Sequence, residues 1–189
     1  MTESRRRRKL LKLGLSLFVA PATARAQQCR VTPRDALGPF YKPGAPAQEE
    51  LCASSSGGER KLIVSGRVLG MPDCAPVADA LVEVWQADER GHYSQVGAKR
   101  DEAGCLLRAS IKTDRAGRYR YATVLPGDYP GRPPHIHYRV SRTGYATLVT
   151  QVYFDRHRGV PDSLVVSVAP GEKGFAQARF DITLASAGR

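Results

Sequence analysis

The chain has 189 residues, 42% hydrophobic and 25% charged, with a formal net charge of +11. That composition suits one ordinary globular domain with enough chain for a single core. The first 26 residues hold seven of the 29 Lys and Arg and one of the 18 acids, so +6 of the excess lies there and +5 in the rest; no basic run is interleaved with aromatics, which excludes an obvious nucleic-acid footprint.

The opening segment MTESRRRRKLLKLGLSLFVAPATARAQQ is laid out as a secretory signal. Arg5 to Lys9 form a positive region, Leu10 to Ala20 an apolar stretch interrupted by Lys12, and Ala24-Arg25-Ala26 a small-x-small cleavage site. An apolar run of about eleven residues is half of what a bilayer requires, so no stable membrane span is expected. SRRRRKLLK also resembles a twin-arginine signal, the route of proteins exported already folded. Residues 1–26 are therefore predicted to be a signal peptide, and the protein is expected to be exported, periplasmic or extracellular. Cys29, Cys52, Cys74 and Cys105 remain after cleavage. An even number in an exported chain predicts two disulfides, with three pairings open. No two of the four form a CxxC metal motif.

Residues 27–60 form an irregular segment rich in Pro, Gly and Ser that includes LGPFYKPGAP. From Lys61 to the end, strand-like runs alternate with turn signals: KLIVSGRVLG, DALVEVWQAD, RYRYATVLP, HIHYRVSR, ATLVTQVYF, SLVVSVA and AQARFDITLA. In the second run Val82 and Val84 share one face, Glu83 and Trp85 the other. The last alternates Ala176, Ala178, Phe180, Ile182 and Leu184 against Gln177, Arg179, Asp181 and Thr183, the pattern of a half-buried strand. No stretch sustains a helical repeat. The prediction is an all-β β-sandwich of about seven to eight short strands with long loops, spanning residues 61–189.

Within HIHYRV, alternation puts Ile136, Tyr138 and Val140 on an apolar face and His135, His137 and Arg139 on the opposite one. Two imidazoles two residues apart on a strand can converge on one metal ion. A bare His-x-His is weak, but PGRPP before it is a stiff connector that holds Tyr129 a short, defined distance away. A phenolate there is a hard anionic oxygen ligand suited to ferric iron, whose charge would lower the phenol pKa from about 10.

The stretch PGDYPGRPPHIHYRV resembles the signature of the intradiol ring-cleavage dioxygenases, the protocatechuate 3,4-dioxygenase and catechol 1,2-dioxygenase family. LGPFYKPGAP, LIVSGRVLG with APVADALVEVWQADERGHY, TDRAGRYRYATVLPGDY and GYATLVTQVYF resemble further segments in family order, over about residues 33–184. The resemblance implies a non-haem Fe(III) centre held by Tyr93, Tyr129, His135 and His137. The family's non-catalytic subunit loses the second tyrosine and the histidine pattern; this sequence keeps all four, as the catalytic kind does. It also implies that Tyr129 leaves the metal and takes a substrate proton, that Arg132 stabilises charge building on the ring, and that Gln151 lies near the oxygen-binding side. His92 and His157 fall outside the pattern and are expected on the surface.

The expected reaction joins a catechol and O2, cleaving the ring between its hydroxyl-bearing carbons to a cis,cis-muconate-type diacid. The loop from Tyr129 to His135 is shorter than in typical members, and the helical dimerisation segment of catechol 1,2-dioxygenases is not recognisable. The chain therefore resembles the smaller, protocatechuate-like sandwiches. The choice of catechol and any homo-oligomer stay open. The rivals are an exported transthyretin-like ligand- or metal-binding β-module without turnover, and a copper or zinc carrier using His135 and His137 alone.

Overall fold

The computed structural model describes residues 29–52, 61–93, 104–129 and 131–188. The expected signal peptide at 1–26, and Pro130 of the connector, lie outside them. The described residues contain ten strands: β1 (Lys61–Gly70), β2 (Ala75–Pro76), β3 (Leu81–Gln86), β4 (Arg108–Lys112), β5 (Arg118–Val124), β6 (His135–Ser141), β7 (Leu148–Tyr153), β8 (Ala169–Pro170), β9 (Ala176–Arg179) and β10 (Ile182–Leu184). Eight of them run three residues or longer, so the all-β reading and its strand number hold.

β1 is the spine of a six-stranded sheet. β5 runs antiparallel along it from Lys61–Val124 to Arg67–Arg118, while β9 and β10 lie parallel on its other edge. The second sheet has the order β4-β3-β6-β7, all antiparallel. The inward sets Leu62, Val64 and Val68 of β1, Val82 and Val84 of β3, and Ile136, Tyr138 and Val140 of β6 fill the core between the sheets. Two tyrosines tie the layers together: Tyr121 and Tyr138 share a 2.6 Å hydrogen bond, and both are wholly buried. A bond of that kind contributes about 1 kcal/mol and, more to the point, leaves no buried hydroxyl unsatisfied.

The tail run AQARFDITLA is not one uninterrupted strand. Its ladder with β1 stops after Ser65–Arg179 and resumes in the same register at Val68–Ile182. Between them the Asp181 carboxylate accepts the Arg67 N–H at 2.9 Å in place of a main-chain carbonyl. Gly66 is required at this break: a Cβ there would sit 1.9 Å from the Phe180 carbonyl oxygen. SLVVSVA is not a strand either. Pro161 opens a 3-10 turn over Asp162–Leu164, and the Leu164 and Val165 N–H groups bond locally to Pro161 and Asp162. Those donors are then unavailable to a sheet.

Residues 29–52 contain no strand, as expected, yet they are structural. Cys29 is bonded to Cys74 and Cys52 to Cys105, so both ends of the segment are stapled, and of the three pairings this is the one formed. Between the staples the segment crosses the outer face of the second sheet. That face holds Glu83, Trp85, His137 and Gln151, all less than 10% exposed. The histidine face of β6 was expected to point away from the core; it does, but into this second buried layer rather than into water. Two layers of cover explain why β3 and β6 read as buried on both sides.

Candidate active site and metal centre

β6 projects His135 and His137 from one face into the layer beneath the strap formed by residues 29–52. Each is 2% exposed. His135 Nδ1 lies 2.7 Å from the Pro133 carbonyl, which can only accept, so Nδ1 carries the proton and the Nε2 lone pair is free. His137 is stacked flat against Trp85 of the neighbouring β3. Its Nδ1 faces the Ala36 carbonyl but falls short of a hydrogen bond.

Tyr93 reaches the same point from a different part of the chain. The Asp88 carboxylate caps its turn by accepting the Arg90 and His92 N–H groups, each at 2.8 Å. Gly91 and Gly127 then let two loops meet at backbone contact. A Cβ on Gly91, at φ +82°, would be 2.2 Å from the Asp128 carbonyl oxygen, and one on Gly127 2.2 Å from that of Glu89. This docking brings the Tyr93 turn beside Tyr129. Their rings lie edge to face, centroids 6.0 Å apart, and the Tyr129 ring is 5.7 Å from that of His135. Two backbone hydrogen bonds, of 3.2 and 2.8 Å, close Tyr129 onto Arg132. That closure makes the shortened loop a tight turn.

Three donor atoms converge. Tyr93 Oη is 3.4 Å from His135 Nε2 and 3.1 Å from His137 Nε2, and the two nitrogens are 3.2 Å apart. Ligands about 2.1 Å from one ion, at angles of 90° to 110°, are separated by about 3.0 to 3.4 Å. The triangle therefore has the size of one metal ion's coordination face. Among the described residues no group of three or more His, Cys, Asp or Glu could hold a metal. The gathering here is of phenols and imidazoles, a donor set for a hard, highly charged ion such as ferric iron.

The electrostatics suit such a donor set. Burial, followed by the charge of His135 and of Arg132, pushes His137 down to about 3, and burial also lowers His135. Both imidazoles are neutral near pH 7 and can act as ligands. Burial, reinforced by Tyr129, raises the Tyr93 phenol far above its ordinary range. A buried phenol of this kind ionises only when a cation takes up its charge.

Arg132 and Gln151 meet beside this donor triangle. Arg132 Nη2 donates to Gln151 Oε1 at 2.5 Å and to Tyr153 Oη at 3.1 Å. Gln151 is wholly buried, and its amide Nε2 donates to the Ala36 carbonyl. An open cavity of about 1040 Å³ has Tyr129, Arg132, Pro134 and His157 in its lining. A second hollow of about 520 Å³, carrying Arg67, Arg118, Arg120 and Arg179, is lined by none of the candidate site residues. His92 is exposed as expected, and His157 lies on the rim of the larger cavity.

All six residues expected from the sequence thus lie together. The structure adds Trp85, Asp35, Gly38, Phe40 and Tyr153. Phe40 stacks on Tyr93 at 4.1 Å, and the Gly38 Cα packs so closely that a Cβ would be 3.0 Å from His137 Cε1. Phe40 and Gly38 stand inside LGPFYKPGAP, and Trp85 and Tyr153 inside other quoted segments, so a signal existed for these four. Asp35 had none.

A family model described as Dioxygenase matches residues 36–184. Catechol 1,2-dioxygenase 2 of Acinetobacter lwoffii is 35% identical over 161 residues, covering 75% of this chain and 58% of that protein. Among solved structures, the dioxygenase domain of a dioxygenase carbohydrate-binding protein fusion from Streptomyces sp. SirexAA-E superposes with a TM-score of 0.72 at 32% identity, covering 84% of this chain and all of that one. The 3-chlorocatechol 1,2-dioxygenase of Rhodococcus opacus 1CP gives 0.72 at 28% identity, covering 86% and 75%. The chain spans about half the length of the curated relatives it matches, 58%, 58% and 45% for the first three.

Proposed function

The chain belongs to the intradiol ring-cleavage dioxygenase family, and we propose that it is a ferric-iron enzyme that opens catechol-type rings between the two hydroxyl-bearing carbons with O2, giving a cis,cis-muconate-type diacid. The observation that carries this reading is the triangle of Tyr93 Oη, His135 Nε2 and His137 Nε2, 3.1 to 3.4 Å on a side, with Tyr129 beside it.

Tyr93, Tyr129, His135 and His137 would hold the iron. When bound, ferric iron supplies a Lewis-acidic centre that holds both catecholate oxygens and withdraws charge from the ring. Tyr129 is the ligand suited to leave: it stands in the lining of the open cavity, whereas Tyr93 is pinned under Phe40. Its phenolate would take one substrate proton. Arg132 reaches the same cavity and would stabilise negative charge developing on the ring. Gln151, with no exposed surface, supports Arg132 through its amide oxygen rather than facing the cavity. His135 and His137 stay neutral and oriented, by Pro133 and Trp85 respectively.

Purified protein loaded with ferric iron should be red-brown from phenolate-to-iron charge transfer and should consume O2 with at least one member of a panel of catechol, protocatechuate and hydroxyquinol. A coloured protein that turns over none of them would favour the ligand-binding alternative. Copper or zinc in place of iron, with no visible band, would point to the carrier.

Export is part of the same proposal. All the described cysteines are paired, a state that persists in oxidising compartments. N-terminal mapping of protein recovered from cell fractions tests it. An uncleaved chain in the cytosol would refute it.

A further inference from the structure

We infer that Asp35 is a positioning residue that fixes the orientation of Arg132 by directing the single hydroxyl proton of Tyr153. The inference rests on the ring-cleaving reading above.

Arg132 Nη2 rests on two acceptors, Gln151 Oε1 and Tyr153 Oη. Each could point the wrong way. The Gln151 side chain could flip and present its NH2 group, and the Tyr153 hydroxyl could turn its hydrogen to Gln151 Oε1, 2.9 Å away, competing with Arg132 for that oxygen. The strap removes both choices with adjacent residues. The Ala36 carbonyl accepts from Gln151 Nε2 at 2.7 Å, which forces Oε1 toward Arg132. The Asp35 carboxylate accepts from Tyr153 Oη at 2.8 Å. A hydroxyl has one hydrogen, and a carboxylate is a stronger acceptor than an amide oxygen. Tyr153 therefore donates to Asp35 and offers its lone pairs to Arg132.

Asp35 is itself held in place. Its other oxygen accepts its neighbour's Ala36 N–H at 2.6 Å, and its own N–H donates to the Val149 carbonyl at 3.0 Å. The carboxylate stands two hydrogen bonds from the guanidinium, with the Tyr153 hydroxyl between them.

The test compares wild type, Asp35→Ala, Tyr153→Phe and the double variant, with crystal structures of the first two and steady-state kinetics for all four. Asp35→Ala should lower kcat about tenfold, the lower end of what outer-shell partners of a metal site contribute. KM should move less than kcat. The visible iron band should be unchanged, because Asp35 hydrogen-bonds none of the four proposed ligands. The crystal structure should show Arg132 displaced from Gln151. Adding Asp35→Ala to Tyr153→Phe should have no further effect, since the proton Asp35 directs is gone. Arg132 undisplaced with kcat unchanged, or losses that simply add in the double variant, would overturn the inference. If Asp35→Ala does not fold, Asp35→Asn keeps a weaker acceptor of the same shape and should give a smaller loss of the same kind. A wild-type protein that turns over no catechol would overturn the functional reading instead, and the position of Arg132 in the Asp35→Ala crystal would still decide the role of Asp35.

Discussion

Trp85 lies face to face with His137, ring centroids 4.9 Å apart and planes within 7°. The stack orients a proposed ligand whose second nitrogen has no hydrogen-bond partner, so the indole takes the orienting role a carboxylate or carbonyl has elsewhere. Trp85 Nε1 is also buried and unpartnered. Trp85→Phe keeps a stacked ring and removes that orphan donor, and should change unfolding free energy by less than about 1 kcal/mol with iron retained. Trp85→Ala should be about 3 to 5 kcal/mol less stable and bind iron about tenfold or more weakly. Urea unfolding and iron titration by the visible band measure both.

The metal-free protein should lose stability on mild acidification. His137 and His135 resist protonation when folded, and in the unfolded chain they titrate near the ordinary value of 6.5. Their folded values are lowered, so below about pH 6.5 the unfolded state binds more protons and unfolding becomes easier. For His137 the effect levels off only near its folded value of about 3. The slope from one such group is at most about 1.4 kcal/mol per pH unit. Urea midpoints of the metal-free protein at pH 7, 6 and 5 should fall in that order. A flat profile would contradict the burial of these rings as neutral groups.

Gly38 should tolerate alanine worse than Gly44 does. Both have positive φ, +72° and +74°, and share the strain of about 1 to 2 kcal/mol that an alanine meets there. Only at Gly38 does the added methyl also press on His137, at 3.0 Å; nothing lies within 4 Å of the corresponding atom at Gly44. Gly44→Ala should lose stability alone. Gly38→Ala should lose stability and, in addition, shift the visible iron band.

Removing either disulfide should loosen the strap. The bonded pairs lie 45 and 53 residues apart, for which chain-entropy arguments give up to about 4 kcal/mol each. Cys29→Ser with Cys74→Ser, and Cys52→Ser with Cys105→Ser, should each lower stability by about 2 to 4 kcal/mol. Because the strap carries Phe40 onto Tyr93 and Gly38 onto His137, iron retention should fall as well. Iron content after dialysis, with and without a thiol reductant, checks this.

The histidine pair was legible because a strand repeats every two residues. Alternation alone assigned Ile136, Tyr138 and Val140 to the core and His135 and His137 to the opposite face. The tyrosines were not legible that way. Tyr93 and Tyr129 sit on separate loops brought together by Gly91 and Gly127; the stiff connector before the histidines singled out Tyr129, but only the resemblance of ordered segments named Tyr93. The strap was less legible still. Its contacts to Thr147, Gln151 and Tyr153 span 113 to 118 residues, and an irregular segment has no periodicity to betray the face it covers. The two misread runs share one cause. Hydrophobic alternation in SLVVSVA and across Phe180-Asp181 says nothing about which backbone donors already have partners, and local turn bonds or an aspartate side chain took them.

The pairing of β1 with β9 and β10 also sets an order of events during synthesis. Ser65 must wait for Arg179, and Val68 for Ile182, before the first sheet can close. The second sheet needs nothing beyond Tyr153, so its hairpin of β6 and β7 and its pairing with β3 can form while the last strands are still in the ribosome. During that interval its inner face can be covered only by β1 and β5, and the core places of Ala178, Phe180, Ile182 and Leu184 stay empty. The chain is therefore most exposed to self-association in the seconds before its tail is released, and the histidine strand belongs to the part that has been waiting.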